Sequence, residues 1–161
     1  AQNTGIEVDE FGQYQFVQTD VTFKGAEIEL AYEFLDGLML TAMADRIRAD
    51  DLPRIPADRI GLGFEMSSMA LFSVASDWML YGQWQQVQKQ NQVADNEEVS
   101  LGYDLLSLGV TYQTMLAKNE YRIDLKANNL LDEEIRQHTS FVKEQAPQPG
   151  RNVSLALSLN F

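Results

Sequence analysis

The sequence predicts an all-β chain whose antiparallel strands form a segment of a transmembrane β-barrel. Three observations predict it. Apolar and polar residues alternate with a period of two, the links between the alternating stretches are short and long in turn, and the aromatic residues gather at one end of the strands. Composition sets the limits. The chain has 161 residues, 45% of them apolar, no cysteine, and 24 acidic against 12 basic residues for a net charge of −12. Structural disulfides and thiolate metal sites are therefore excluded. The acidic balance argues against nucleic acid as a partner, because phosphate neutralisation needs clustered Lys and Arg. No run reaches the ~18 apolar residues of a transmembrane helix, and the polar, acidic opening AQNTGIEVDEFG does not read as a signal peptide.

The alternation defines seven strands, over about 19–35, 38–49, 58–66, 70–85, 103–115, 120–129 and 151–161. In the first, Ala26, Ile28, Leu30, Tyr32 and Phe34 oppose Glu27, Glu29 and Glu33. Val21 and Phe23 are out of phase with them, and Gly25 between predicts a bulge or a change of environment. The second is ambiguous, with apolar residues on both faces. In the third, Ile60, Leu62, Phe64 and Met66 oppose Arg59, Gly61, Gly63 and Glu65. In the fourth, Phe72, Val74, Trp78 and Leu80 oppose Ser73, Ala75, Asp77 and Met79. The fifth and sixth set Leu106, Leu108, Val110 and Tyr112 against Ser107, Gly109 and Thr111, and Tyr121, Ile123, Leu125 and Ala127 against Arg122, Asp124, Lys126 and Asn128. The seventh is the cleanest: Val153, Leu155, Leu157, Leu159 and Phe161 share one face, and Asn152, Ser154, Ala156, Ser158 and Asn160 the other.

The links are, in order, Asp36-Gly37, DDLPRIPA, Ser67-Ser68, QVQKQNQVADNEEVSLG, AKN (117–119) and LLDEEIRQHTSFVKEQAPQPG. Tight turns on one side and extended loops on the other are the habit of outer-membrane barrels. Phe34, Phe64, Phe72, Tyr112, Tyr121 and Phe161 lie on the apolar faces close to short turns or the chain end, as an interfacial aromatic girdle would. Trp84 and Tyr103 lie nearer the long loops and fit a second girdle. Glu27, Glu29, Glu65, Asp77, Arg122, Asp124 and Lys126 on the opposite faces cannot fill a dry core unpaired, and they fit a wet or plugged lumen. The reading therefore requires Ile28, Phe64, Val74, Leu108, Leu125 and Leu157 to face lipid. Seven is odd, whereas bacterial barrels close on an even count, so either strands are missing before residue 1 or the count is off by one; the expectation is a fragment, with residues 1–18 as the tail of an external loop.

Three stretches together resemble the TonB-dependent outer-membrane receptors. They are VTFKGAEIELAYEF (21–34), YRIDLKANNLLDEEIRQHTSF (121–141) with an Asn-Leu-x-Asp motif at Asn129, Leu130, Leu131 and Asp132, and the terminal strand ending on Phe161; LPRIP (52–56) also looks like a recurrent strand opening of such barrels. The resemblance implies that 1–161 is the C-terminal part of a barrel of about 22 strands, with an N-terminal plug and a segment for a TonB-type energy-coupling protein preceding it. It implies outer-membrane localisation in a Gram-negative bacterium and active uptake of a scarce nutrient such as a metal ion, a ferric siderophore, haem or cobalamin. It also implies a signal for the barrel-insertion machinery in Phe161, Leu159, Leu157 and Leu155, with Leu159 where an aromatic is usual. HTSFVKEQAPQPGR (138–151) is similar to a subgroup that includes zinc-uptake receptors.

Chemistry-bearing residues are few. His138, the only histidine, is the candidate metal ligand, with Asp132, Glu133 and Glu134 near it in sequence; zinc sites need three or four ligands, and the alternative is a solvated loop histidine. The six methionines are scattered, and Asp95, Glu97 and Glu98 lack the spacing of a calcium loop. Ser140 with His138 lacks an orienting third group, so no enzyme activity and no cofactor are expected. A passive porin-like channel and a soluble β-barrel binding module are the alternatives to a receptor; the latter requires a dry apolar interior.

Overall fold

The computed structural model describes residues 2–8, 13–49, 52–67, 78–94, 97–116 and 118–161. The alternating stretches pair as one antiparallel sheet of seven strands in chain order: β3 (Phe23–Leu35), β4 (Leu38–Ala49), β5 (Arg59–Ser67), β6 (Trp78–Val87), β7 (Tyr103–Leu116), β8 (Asn119–Asn128) and β9 (Asn152–Asn160). These strands are 9 to 14 residues long, and a tilted strand needs about 9–11 to cross a bilayer. Ahead of them, β1 (Gln2–Val8) and β2 (Tyr14–Asp20) form a separate two-stranded antiparallel sheet. The stretch 1–18, expected as the tail of an external loop, thus carries strands of its own. Ile6 stands opposite Phe16 and Val8 opposite Tyr14, so the alternation was present but in runs of only 7 residues. The predicted strand over 70–85 is described from Trp78 onward, and its earlier part, with Phe72 and Val74, lies outside the described residues.

Cross-strand partners share a face, so the register assigns every side chain to one of two surfaces. One row runs Tyr32, Leu40, Phe64, Gly82, Leu108, Ala127, Val153, and the next runs Leu38, Met66, Leu80, Val110, Leu125, Leu155. On the other surface a row runs Glu27, Asp45, Arg59, Val87, Tyr103, and another Glu33, Met39, Glu65, Tyr81, Gly109, Lys126, Ser154. The pairing resolves the ambiguous second strand: Leu38, Leu40, Ala42 and Ala44 join the apolar surface, while Met39, Thr41, Met43 and Asp45 join the polar one.

One local expectation needs correction. There is no bulge at Gly25, because pairing with β4 runs unbroken from Phe23 to Glu33 and shifts only between Glu33 and Leu35, beside the turn. Gly25 is there for closeness: a Cβ would lie 2.8 Å from the Arg46 carbonyl oxygen. In the turn, Gly37 carries a φ of 80°, and Leu35 pairs with Leu38 across it.

Conventional burial is sparse. Among the described residues the buried apolar side chains are Val21, Ile55, Ala57, Val87 and Ile135, none of them in the middle of the sheet. Packing within the sheet is lateral instead. Phe64 and Leu108 close over Gly82, where a Cβ would come within 2.5 Å and 2.6 Å of their side chains. Replacing a strand glycine normally strengthens a strand. Gly82→Val should instead cost about 1–3 kcal/mol by displacing the Phe64 ring; denaturant titration of the refolded protein checks this, and a gain in stability would refute that packing.

Candidate functional site

The apolar surface is exposed. Leu157 is 72% exposed, Leu30 64%, Ile28 59% and Leu125 43%, and Leu108 on the central strands is 39% exposed. These side chains do not converge on a dry interior, which a soluble barrel requires. Within the paired strands this surface carries no Asp, Glu, Lys or Arg at any described position from the row of Leu30, Ala42, Leu62, Trp84 and Leu106 down to the short-turn end. Its charges, Lys24, Arg46, Arg48 and Asp104, sit at the long-loop end, together with Asp58 just before β5. There Trp84 Nε1 donates to Asp104 Oδ1 (3.0 Å), and Arg48 clasps Asp58 with Nη1 and Nη2 at 2.5 and 2.6 Å. That fork holds the Asp58 carboxyl below the usual carboxylate range, against an opposing effect of burial.

The aromatic residues expected in a girdle are placed as follows. Tyr32 and Phe64 share a row, Trp78 and Tyr112 are cross-strand partners, and Tyr121 faces Leu159. Phe34 is 60% exposed beside the Asp36-Gly37 turn, and Tyr112 is 44% exposed. Phe72 is outside the described residues. Tyr103 belongs to the opposite, polar surface in the row of Arg59, so it does not share a surface with Trp84. Leu155, Leu157 and Leu159 line the exposed face of β9, and Phe161 follows it fully exposed.

The polar surface is wired with charge-assisted bonds. Arg59 forks onto Asp45, with Nη2 at 2.6 Å from Oδ2. Arg122 donates to Asp124 (2.8 and 2.9 Å), which also accepts the Thr111 hydroxyl at 2.7 Å. Gln113 and Asn160 both donate to Glu120. Glu29, Glu33 and Glu65 have no ion-pair partner among the described residues. Such a surface is stable only against water or a polar body.

The long links fold on one another. Asn129 leaves β8 with a left-handed φ of 49°; its amide donates to the carbonyls of Glu133 (2.9 Å) and Pro149 (3.3 Å) and accepts from Glu133 N (3.0 Å). Asp132 accepts from Arg151 N at 2.8 Å. The Asn-Leu-x-Asp motif is thus a staple joining the exit of β8 to the entrance of β9. Arg136 Nη1 ties the middle of that loop to the carbonyls of Lys143 (2.6 Å) and Glu144 (2.7 Å) over the buried Ile135.

His138 is buried in this clasp. The structure brings it to Ser100, Lys143 and Glu97, and not to Asp132, Glu133 and Glu134: Asp132 is occupied by Arg151, and Glu134 pairs with Arg136. Nδ1 accepts from the Ser100 hydroxyl (2.8 Å) and the Lys143 ammonium (3.2 Å), so the proton rests on Nε2, 3.2 Å from Glu97 Oε1 but off hydrogen-bond alignment. Lys143 also donates to the Glu98 carbonyl and to Ser100 Oγ (3.1 Å). Ser140, weighed and set aside in the sequence as a partner of His138, accepts from Val142 N. Among the described residues no group of three or more His, Cys, Asp or Glu is placed to hold a metal ion.

Burial, then the Lys143 charge, push the His138 pKa below its ordinary value, outweighing Glu97. The neutral ring is therefore the folded form, and stability present above the unfolded pKa of about 6.5 falls as pH drops below it. Protection factors of the amides in 97–100 and 138–143, taken against the intrinsic exchange rate at each pH, should fall as the pH drops from about 7.5 to about 5.5, and His138→Gln should flatten that dependence.

Together the two surfaces and the one-sided loops define the architecture: an antiparallel β-barrel segment. No family model matches the sequence. Among solved structures the chain is similar to the copper transporter OprC, with a TM-score of 0.71 and 19% identity, covering 93% of this chain and 25% of that one. The likeness shows the fold, and the chain spans a quarter of the length of that structure.

Proposed function

We propose that this chain is part of the barrel of an outer-membrane receptor for energy-coupled uptake of a scarce nutrient. The observation that carries the reading is the charge-free, exposed apolar surface set back to back with a charged, hydrogen-bonded one. Hydrocarbon accepts the first and a wet or plugged lumen the second. A lipid-facing sheet does not end in open edges, so β3 and β9 pair with further strands in the whole barrel. Tyr32, Phe34, Phe64, Tyr112 and Tyr121 form the interfacial girdle at the short-turn rim, and Phe161 with Leu155, Leu157 and Leu159 is read by the insertion machinery. The motifs at 21–34, 121–141 and the terminus support a TonB-dependent receptor, coupled to an inner-membrane partner through polypeptide ahead of this segment.

Likeness in fold to a copper transporter supports a metal ion, free or complexed, as cargo. Zinc rests only on the resemblance of 138–151, and His138, with Lys143 on its Nδ1, is better built to hold loops together than to bind metal. A deletion strain should grow poorly on one limiting source among copper, zinc, ferric siderophore and haem. Rescue should require both the parent gene and the energy-coupling protein. Rescue independent of coupling would instead indicate a passive porin-like channel.

A further inference from the structure

The loop after β8 folds back over the polar surface. Ala57, Val87 and Tyr103 wall a cavity of about 170 Å³, and Gln137, His138 and Thr139 close it from the loop side. Val87 and Tyr103 belong to the polar row of Arg59, and Ala57 and Val87 are each only 8% exposed. The two arginines at the cavity do not bridge it. Arg59 forks onto Asp45, and Arg136 holds Glu134 and the carbonyls of Lys143 and Glu144 in its own loop. Among the described residues, the polar bonds that join this loop to 97–100 are those of His138 and Lys143. Arg54 stacks on the Phe141 ring at 3.6 Å beside them. The roof is thus latched along one side, through an imidazole whose side chain is 3% exposed.

A second proton on this ring works against the latch. Nε2 already holds one, so the next goes to Nδ1, which changes from acceptor to donor. There it meets the Ser100 hydroxyl at 2.8 Å and the Lys143 ammonium at 3.2 Å. The hydroxyl can turn and accept, but the ammonium has only donors and carries a like charge. From the 97–100 side Glu97 favours the imidazolium, though its carboxylate is already shared with Arg54 N (2.8 Å) and Ala94 N (3.3 Å). From the cavity wall, Arg59 and Tyr103 bring no anion to the ring. We propose that residues 136–143 form an acid-released strap over this cavity, with His138 as the latch and Lys143 as the charge that drives its opening. The strap is local to the three long links and operates whatever cargo the barrel carries.

The test uses the full parent protein in neutral detergent with one cysteine introduced at the cavity wall, Ala57→Cys. Its labelling rate with a small methanethiosulfonate is divided, at each pH, by that of Asn91→Cys, an exposed site on a neighbouring loop, which removes the titration of the thiol itself. The protein without either cysteine supplies the background. From about pH 7.5 to about pH 5.0 the ratio should rise several-fold, towards a ceiling of about 30-fold set by a histidine that titrates near 6.5 once released. His138→Gln should leave the ratio flat. Lys143→Met, which removes the like charge, should shrink the rise, and Glu97→Gln, which removes the anion, should enlarge it. Each comparison is of the pH dependence, so a variant that is looser at every pH still reports. A flat ratio with the native clasp, an unchanged rise in His138→Gln, or an undiminished rise in Lys143→Met would overturn the strap. Those failures leave the alternation of β9 intact, whereas loss of that alternation alone would remove the membrane assignment and leave the strap standing.

Discussion

Leu157→Arg should cost about 2–4 kcal/mol in a bilayer and severely reduce the amount of assembled protein, because it places a guanidinium in the middle of the lipid-facing band. Leu157 pairs with Ile123, which pairs with Tyr112, so no acid is within reach on that row. Its neighbour Ser158 is the internal control. Ser158 lies on the other surface opposite Arg122, and Ser158→Asp there should be nearly neutral. Refolding into lipid vesicles followed by denaturant titration measures both. Equal costs at 157 and 158 would mean that the two surfaces see the same medium.

The second large effect is expected at Asn129. Its side chain satisfies three backbone groups at the root of the longest loop and is 2% exposed. Asn129→Leu abandons those bonds and puts a branched side chain at a left-handed φ. Each buried backbone group left unpaired costs about 1–3 kcal/mol, so the loss should reach several kcal/mol and the 129–151 loop should become protease-sensitive. Asp132→Ala, which frees Arg151 N, loses the exposed 4.0 Å ion pair with the Arg151 guanidinium and leaves alanine at a φ of 60°, should cost less, about 1–2 kcal/mol. Limited proteolysis with thermal unfolding separates the two, and a stable, protease-resistant Asn129→Leu variant would remove the staple from the account.

What could be read in the sequence was what period two carries. β9 and β8 announced their surfaces because each alternates without interruption, and the link lengths placed the turns. The phase of β4 was not legible, since Met39 and Met43 are as apolar as Leu40; only pairing with Tyr32 and Phe64 fixes it. The β1–β2 hairpin was missed because two runs of 7 residues separated by acids resemble a loop. The surroundings of His138 were beyond reach for a different reason: Ser100 lies 38 positions away and joins it only when two long loops stack. Sequence proximity favoured Asp132, Glu133 and Glu134, yet Asp132 turns back to β9 and Glu134 to Arg136. The motif at Asn129 was recognised, but its physical task, stapling β8 to β9, emerged only with the hydrogen bonds. The Trp84–Asp104 bond likewise needed the strand register, though two amphipathic residues at one rim were its signal.

This chain contains no cysteine, so single cysteines can be introduced along β9, from Asn152 to Asn160, in the parent protein inserted in its own outer membrane, with the same protein lacking the introduced cysteine as the labelling background. A membrane-impermeant maleimide should label the cysteines at 154, 156 and 158 after the rim is permeabilised, and a lipid-soluble quencher should reach probes only at 153, 155, 157 and 159. Uniform labelling along β9, or quenching of the even-numbered set, would contradict the assignment of the two surfaces.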